Sequence, residues 1–381
     1  MKTLYVHIGT PKTGTTSIQR FCMDNESLLN ERGYCYPPSF YKYPVVAKAR
    51  NGHFLVGVIK DENGERCLER EAQLFNEGME KVQEQFAKYD NVILSDESIW
   101  RAMDIESKDL WDKLKEESKK GDFTIKAIVY LRRQDKMICS IWNQSIKSPP
   151  GNTDRRFEDY IKDRNLEARL NYGDKIDRLA SILGKENLIV RRFDKENFIG
   201  GNIYTDFLQA IGLEWEDKYE VGKEDRNTGL APGNPTEIKR IINTLPKARD
   251  LKTQNFFRDV LKDCSEVSKE KYPCDTLSKE ETLELLSKYE EGNKKIAIEY
   301  FGEEELFDNT VKDLPKWTPD NPYMLEDVVR FIGMSNVYLL DEITQLKEEN
   351  KKLRKEFETL QKEQRSITAS CKNILNKFRR K

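Results

Sequence analysis

The chain is predicted to fold as an α/β domain, a central parallel sheet between helical layers, followed by a C-terminal coiled-coil helix. Three observations predict this. Four short apolar, β-branched runs (Leu4 to Ile8, Val92 to Leu94, Ile125 to Leu131 and Leu188 to Val190) alternate with long segments of helical spacing such as Ala72 to Phe86 and Phe157 to Leu183. Runs that are apolar on both faces belong to parallel strands covered on both sides. The C-terminal segment then carries an unbroken 3,4 apolar repeat.

Taken in order, the first run leads directly into Gly9-Thr10-Pro11-Lys12-Thr13-Gly14-Thr15-Thr16-Ser17, after which Ile18, Phe21 and Cys22 share one face of a helix. An aromatic and proline-rich stretch, Tyr34 to Tyr43, follows and suits the wall of a binding site. Beyond Gly212 the texture becomes helical through Ile238-Ile241-Ile242 and Leu283-Leu285-Leu286, with a Gly/Pro/Asn loop from Asn227 to Pro235. The domain is placed at 1–315, its part at 213–315 mainly helical. A linker and helix start occupy 316–335, with Pro319, Asn321 and Pro322 marking the turn-rich part, and the coil occupies 336–378.

In that coil, Ile343, Asn350, Phe357, Gln364, Cys371 and Phe378 take position a, and Leu339, Leu346, Leu353, Leu360, Ile367 and Ile374 take position d. Leucine at d with a polar Asn350 at a favours a parallel two-stranded form. Glu342 with Lys347, and Glu349 with Arg354, suit pairing between parallel chains. A homodimer is therefore expected, the alternative being an amphipathic helix folded back on the domain.

Composition narrows the function classes. With 381 residues, 10% of them aromatic, there is material for a real core even though 35% are charged. Lys and Arg number 65 against 67 Asp and Glu, so no global field attracts nucleic acid or an acidic membrane, and any anion site must be local. Seven cysteines without a C-x-x-C pair read as reduced, mostly buried thiols. Only two histidines are present, which leaves a zinc centre little to build on, so no metal site is expected. The opening apolar run lacks the shape of a secretion signal, and no stretch reaches the roughly 18 apolar residues of a membrane helix. A cytoplasmic protein without a transmembrane segment is expected.

Strand, glycine loop and helix N-terminus together form an anion cradle, because successive backbone N–H groups converge where the helix dipole is positive. The fold expected is therefore P-loop-like, three-layer α/β/α. Against G-x-x-x-x-G-K-[ST], the glycines and final hydroxyl fit, but Thr15 stands where the nucleotide-binding lysine belongs and the lysine has moved to Lys12. No D-x-x-G or acidic strand end stands out to hold magnesium. A second element is Arg132 at the end of the third run, with Ser140 eight residues on in a helix. The guanidinium can fork onto phosphate oxygens while the hydroxyl adds a bond.

The string T-P-K-T-G-T-T and the Arg132–Ser140 spacing resemble the 5′-phosphosulfate loop and 3′-phosphate motif of the PAPS-dependent sulfotransferases. Weaker similarities are Arg191-Arg192-Phe193, the Asp206-Phe207-Leu208 helix with Gly212-Leu213, and Asn227-Thr228-Gly229. The likeness spans about residues 1–310. The tryptophan-containing glycine motif of the small-molecule enzymes is absent, which points to the bacterial, carbohydrate-type branch. The resemblance implies PAPS as donor, adenosine 3′,5′-bisphosphate as product and no metal requirement. It implies a carbohydrate hydroxyl as acceptor, and Lys12, Thr13, Gly14, Thr15, Thr16, Ser17, Arg132, Ser140, Arg192 and Asn227 as donor-binding residues. Lys12 would also steady the departing bridging oxygen. A sulfuryl group carries one negative charge, so one ammonium with backbone donors suffices.

Two residues compete as the base. His53 follows the aromatic stretch and is a side chain of near-neutral titration, while Glu97 closes the second run, where loops of a parallel sheet line the ligand crevice. Gln144 and Lys147 lie one and two turns beyond Ser140, toward an acceptor or toward solvent. His7 is expected to pack under the loop. Two other readings stand beside the sulfotransferase: a nucleotide kinase or NTPase with a degenerate loop, and a non-catalytic scaffold of the same fold.

Overall fold

The structure, a computed structural model, describes residues 2–44, 46–103, 108–147, 153–222, 230–248 and 250–378. Five parallel strands, β1 (Lys2–His7), β2 (Tyr34–Cys35), β3 (Asn91–Ser95), β4 (Phe123–Leu131) and β5 (Leu188–Arg192), form one sheet in the order β2-β3-β1-β4-β5. The four predicted strands are all there, and β2 adds a two-residue edge too short to leave a pattern. The helices that position the site are α1 (Thr15–Asp24), α2 (Leu68–Phe86), α3 (Lys108–Gly121), α4 (Gln134–Lys147), α5 (Tyr172–Leu183), α6 (Ile203–Ala210), α7 (Asn234–Ile242), α8 (Leu251–Lys271) and α9 (Met324–Phe378).

Alternation along the strands divides the core into two layers. Leu4, Val6, Val129 and Leu131 face Val82 and Phe86 of α2, Trp111 and Leu114 of α3, and Ile176 and Leu179 of α5. Tyr5, Ile93, Ile128 and Tyr130 face the other way, onto Ile18 and Phe21 of α1 and Phe207 and Leu208 of α6. Each such apolar side chain contributes about 1.5 to 3 kcal/mol relative to its exposed state. This is the expected three-layer arrangement.

The segment 157–183, which reads as continuous helix, is three: Phe157–Tyr160, Arg164–Leu170 and α5. Asp163 accepts from the Asn165 N–H and Asn171 from the Asp174 N–H, so two side-chain caps restart the helix. The turn-rich segment after Lys316 is tethered rather than loose. Trp317 Nε1 donates to Asn234 Oδ1 at 2.7 Å, and Asn321 Nδ2 donates to the same oxygen at 2.7 Å.

Helix α9 follows the folded-back reading of the C-terminus at its start. Its beginning folds back, with Met324, Val328 and Phe331 against Ile238 and Leu261 of α7 and α8. From Leu339 to Lys372 every residue is exposed, the heptad leucines included. No described cysteine forms a disulfide; Cys22, Cys35 and Cys264 are buried, whereas Cys371 on α9 is exposed. No helix of the described residues is long and apolar enough to cross a membrane.

Candidate functional site

The predicted loop lies at the C-terminal end of β1, at the centre of the sheet. The chain passes from β3 on one side of β1 to β4 on the other, which is where open parallel sheets form their crevice. The loop begins by extending the sheet: Tyr130 N–H donates to the Gly9 carbonyl at 2.7 Å, and Thr10 N–H to the Tyr130 carbonyl at 3.0 Å. Gly9 has φ 99°, and a β-carbon there would lie 3.3 Å from Glu97 Cβ, so glycine allows the β3 end to close on the loop.

Within the loop, Thr13 Oγ1 donates to the Thr10 carbonyl at 2.5 Å and Thr15 Oγ1 to Glu97 Oε2 at 2.7 Å. These two hydroxyls brace the loop rather than stand free for a ligand. The first helical bond of α1 runs from Ile18 N–H to the Gly14 carbonyl at 3.1 Å, which leaves the N–H groups of Thr15, Thr16 and Ser17 without a helical acceptor. Three free N–H groups at the positive end of a helix dipole are an anion cradle.

Lys12 takes the left-handed backbone conformation, φ 66°, and its ammonium turns to Gln144 Oε1 of α4 at 3.1 Å. Burial draws its pKa below the ordinary lysine value; the Glu97 carboxylate opposes this and Arg132 adds to it. Arg132 Nη1 donates to the Lys12 carbonyl at 3.1 Å, and the guanidinium lies over the Phe193 ring at 5.6 Å. The Tyr172 hydroxyl holds the Arg132 carbonyl at 2.7 Å. Arg132 and Ser140 line one cleft of about 310 Å³ with Asn143 and Leu230. The structure thus brings Lys12, Arg132, Ser140, Gln144 and the start of α1 together.

It does not bring Arg192 to them. Arg192 follows Val190 and Leu188 onto the sheet face opposite α1. There its Nη2 donates to Glu303 Oε2 at 2.6 Å and to the Glu305 carbonyl at 3.0 Å, above the Phe301 ring. The period of two along a strand is the reason: Phe193, one residue on, is the side chain that reaches Gly14 and Arg132. Asn227 lies outside the described residues.

Beside the loop, β3 ends in an acidic pair, so an acidic strand end does exist, contrary to the expectation from the bare sequence. Asp96 is fully buried and spent within the protein. Arg50 Nε and Nη2 grip its two oxygens at 2.9 and 2.7 Å, and His53 Nδ1 meets Oδ2 at 2.9 Å. Burial alone would raise this carboxyl, but hydrogen bonds from His53 and Arg50 overcome it and hold Asp96 below the usual carboxylate range. An ionised Asp96 fixes the proton of His53 on Nδ1 and leaves Nε2 as the basic nitrogen. The ring also packs edge-on to Tyr43 at 4.5 Å. Glu97 sits on Thr15.

Ser95 is the hub beneath the loop, with His7 Nδ1 2.8 Å and Gln19 Nε2 3.1 Å from its hydroxyl, and its N–H donating to Asn51 Oδ1 at 2.8 Å. His7 packs under the loop as expected, and burial pushes it down to about 3, so it is neutral. The aromatic stretch does form a cavity, of about 330 Å³, lined by Tyr36, Pro38, Tyr41 and Tyr43, but with Met23 at the far end of α1 from the loop. Arg50, Asp96 and Ser95 were not singled out by sequence. Only Asp96 carried a signal, its place at the end of a parallel strand; Arg50 reaches it from a turn that nothing local marks.

No family model matches the chain, and no solved structure matches it. It is 30% identical over 185 residues to an uncharacterized protein of Archaeoglobus fulgidus. That match covers 48% of this chain, and the chain spans 47% of that protein's length.

Proposed function

We propose that the chain is a PAPS-dependent sulfotransferase that moves a sulfuryl group to a carbohydrate hydroxyl. The observation that carries this reading is the convergence of Lys12 and Arg132. The ammonium turns inward at the helix N-terminus, and the strand-end guanidinium is locked to its backbone by a 3.1 Å bond. Two cationic groups on one loop edge, one beside free N–H groups and one in a cleft with Ser140, suit a donor bearing two separated anionic groups.

In this reading the N–H groups of Thr15, Thr16 and Ser17 hold the 5′-phosphosulfate, and Arg132 and Ser140 hold the 3′-phosphate. The acceptor oxygen attacks sulfur in line as the bond from sulfur to the bridging oxygen breaks; the electron pair leaves with the 5′-phosphate, where Lys12 steadies it. The acceptor proton passes to His53 Nε2, with buried Asp96 stabilising the imidazolium. Glu97, its Oε2 engaged by Thr15, positions the loop and balances Lys12. His53→Ala is expected to lower kcat by about 10² to 10⁴ with donor affinity kept, whereas Glu97→Gln changes donor affinity as well.

Incubation with labelled PAPS and a mixture of saccharides tests the reading. It predicts transfer or slow donor hydrolysis, reduced about 10² to 10³ in Lys12→Ala. Magnesium-dependent ATP turnover without PAPS hydrolysis would favour the kinase reading instead, for which the Glu97 carboxylate beside the loop hydroxyl of Thr15 is the supporting feature. The exposed heptad face of α9 is proposed to pair with a second copy in a parallel homodimer.

A further inference from the structure

Helix α9 carries two apolar faces along its first turns, and the domain covers one of them. On the covered face, Met324, Val328 and Phe331 pack against α7 and α8; the ring centres of Phe331 and Phe257 are 5.9 Å apart, and those of Tyr338 and Phe256 6.2 Å. Beside it on the same turns, Leu325, Val329 and Ile332 are 73, 59 and 53% exposed. A helix that merely folds back on its domain needs the first face and not the second.

The open face has a register. Leu325, Ile332 and Leu339 continue position d, and Val329, Asn336 and Ile343 continue position a, so the repeat starts in the first turn of α9 and not at 336. Asn336 and Asn350, two heptads apart at position a, hold one pose: each Nδ2 donates to the carbonyl four residues back, Ile332 at 2.9 Å and Leu346 at 3.2 Å. Each amide keeps an oxygen that can accept and an N–H that can donate across a two-fold axis. By that pairing an asparagine at position a fixes register and strand number.

The rim says what covers this face. Glu342, Glu349, Glu356 and Glu363 occupy position g, whereas position e from Lys347 and Arg354 onward carries no acidic residue. Antiparallel partners would set glutamate against glutamate, and parallel copies of this chain set g against e. The face is thus complementary to itself in one orientation. Glu342 also meets Lys252 of α8 at 3.4 Å, and from there toward the domain position e changes to Leu340 and Gly333, while Glu326 is engaged by Lys271 of α8 at 3.1 Å. Free charge leaves the rim where α8 comes alongside, as it does where the flank of a coil is packed and not solvated.

We propose that the surface this protein offers to a second copy of itself begins at Leu325, inside the folded unit, so that the two sheet domains are clamped side by side through their α8–α9 layers. This rests on the parallel pairing of α9 proposed above and is independent of sulfuryl transfer. By helical rise, about 25 Å of a seam of about 70 Å then lies beside the domains. The two β1 loops keep a fixed separation instead of the varying one that a free stalk would allow.

Sedimentation equilibrium of the full chain tests this with three substitutions at exposed positions. Ile332→Glu puts charge on the domain end of the seam and is expected to raise the dimer dissociation constant about tenfold or more. Val337→Glu puts the same charge at position b, where Val337 is 49% exposed outside the seam, and is expected to change it by no more than about twofold. Asn336→Leu is expected to tighten association about tenfold or to add a trimer, since a polar residue at position a costs stability and sets strand number. Ile332 is open to solvent in the single chain, so the far-ultraviolet circular dichroism of Ile332→Glu is expected to match the wild type, which separates lost pairing from lost fold. A wild type that sediments as a monomer overturns the parallel pairing itself. A dimeric wild type whose dissociation constant Ile332→Glu leaves unchanged overturns this inference alone, as does a Val337→Glu variant weakened as much as Ile332→Glu.

Discussion

Asp96 shows how much a single buried carboxylate depends on its partners. Its folded-state pKa lies below the ordinary aspartate value of 3.8, so its contribution to stability is present above that value and is lost as pH falls through the lower folded one. Arg50→Met removes two hydrogen bonds and leaves burial, which raises the carboxyl. The loss then begins at higher pH, and the midpoint of acid unfolding followed by circular dichroism is expected to move up. An unchanged midpoint would show that Arg50 does not set this charge. At this scale Lys12, Arg132 and Ser140 were legible because spacing along a short segment carries them. Arg192 was misplaced because two adjacent arginines on a strand face opposite ways, and only the register of β5 beside β4 says which one looks toward α1. Arg50 was invisible because its partner is 46 residues away.

Elements repeat that lesson. The loop-to-helix junction depends on Gly14, which has φ 71° and stands where a β-carbon would lie 2.5 Å from Ile203 Cδ1. Gly14→Ala combines left-handed strain with a clash against α6 and is expected to destabilise by about 2 to 4 kcal/mol in urea unfolding. A cost under about 0.5 kcal/mol would mean that the junction relaxes freely. Helix α9 is the clearest element in the sequence, since its heptads are unbroken, yet its first turns spend one apolar face on α7 and α8 and only the later part is exposed all round. Leu353, 55% exposed, sits in that later part. Leu353→Glu is expected to convert a dimer to a monomer in sedimentation equilibrium with the melting of the sheet domain unchanged. A wild type that sediments as a monomer contradicts the pairing. The breaks within 157–183 were legible in principle, as Asp163 and Asn171 are good capping residues, but helical periodicity on both sides hides a short interruption.

The whole molecule places a strand-order change, a helix N-terminus and two cationic side chains at the C-terminal ends of the central strands β1 and β4. The class of the fold was readable from composition: runs apolar on both faces require cover on both faces, and α1 and α6 on one side with α2, α3 and α5 on the other supply it. The order of the strands was not readable, because parallel pairing joins residues as far apart as Lys2 and Phe123 and leaves no local trace. The same long-range pairing makes the site, since Arg132 meets Lys12 only where β4 lies against β1. The most direct measurement is therefore titration calorimetry of adenosine 3′,5′-bisphosphate into the full chain without added metal. One molecule is expected to bind per chain, weakened about 10- to 100-fold in Arg132→Ala, about three- to tenfold in Ser140→Ala, and by no more than about twofold in Arg192→Ala. No heat of binding to the wild type, or equal affinity in Arg132→Ala, would contradict the account.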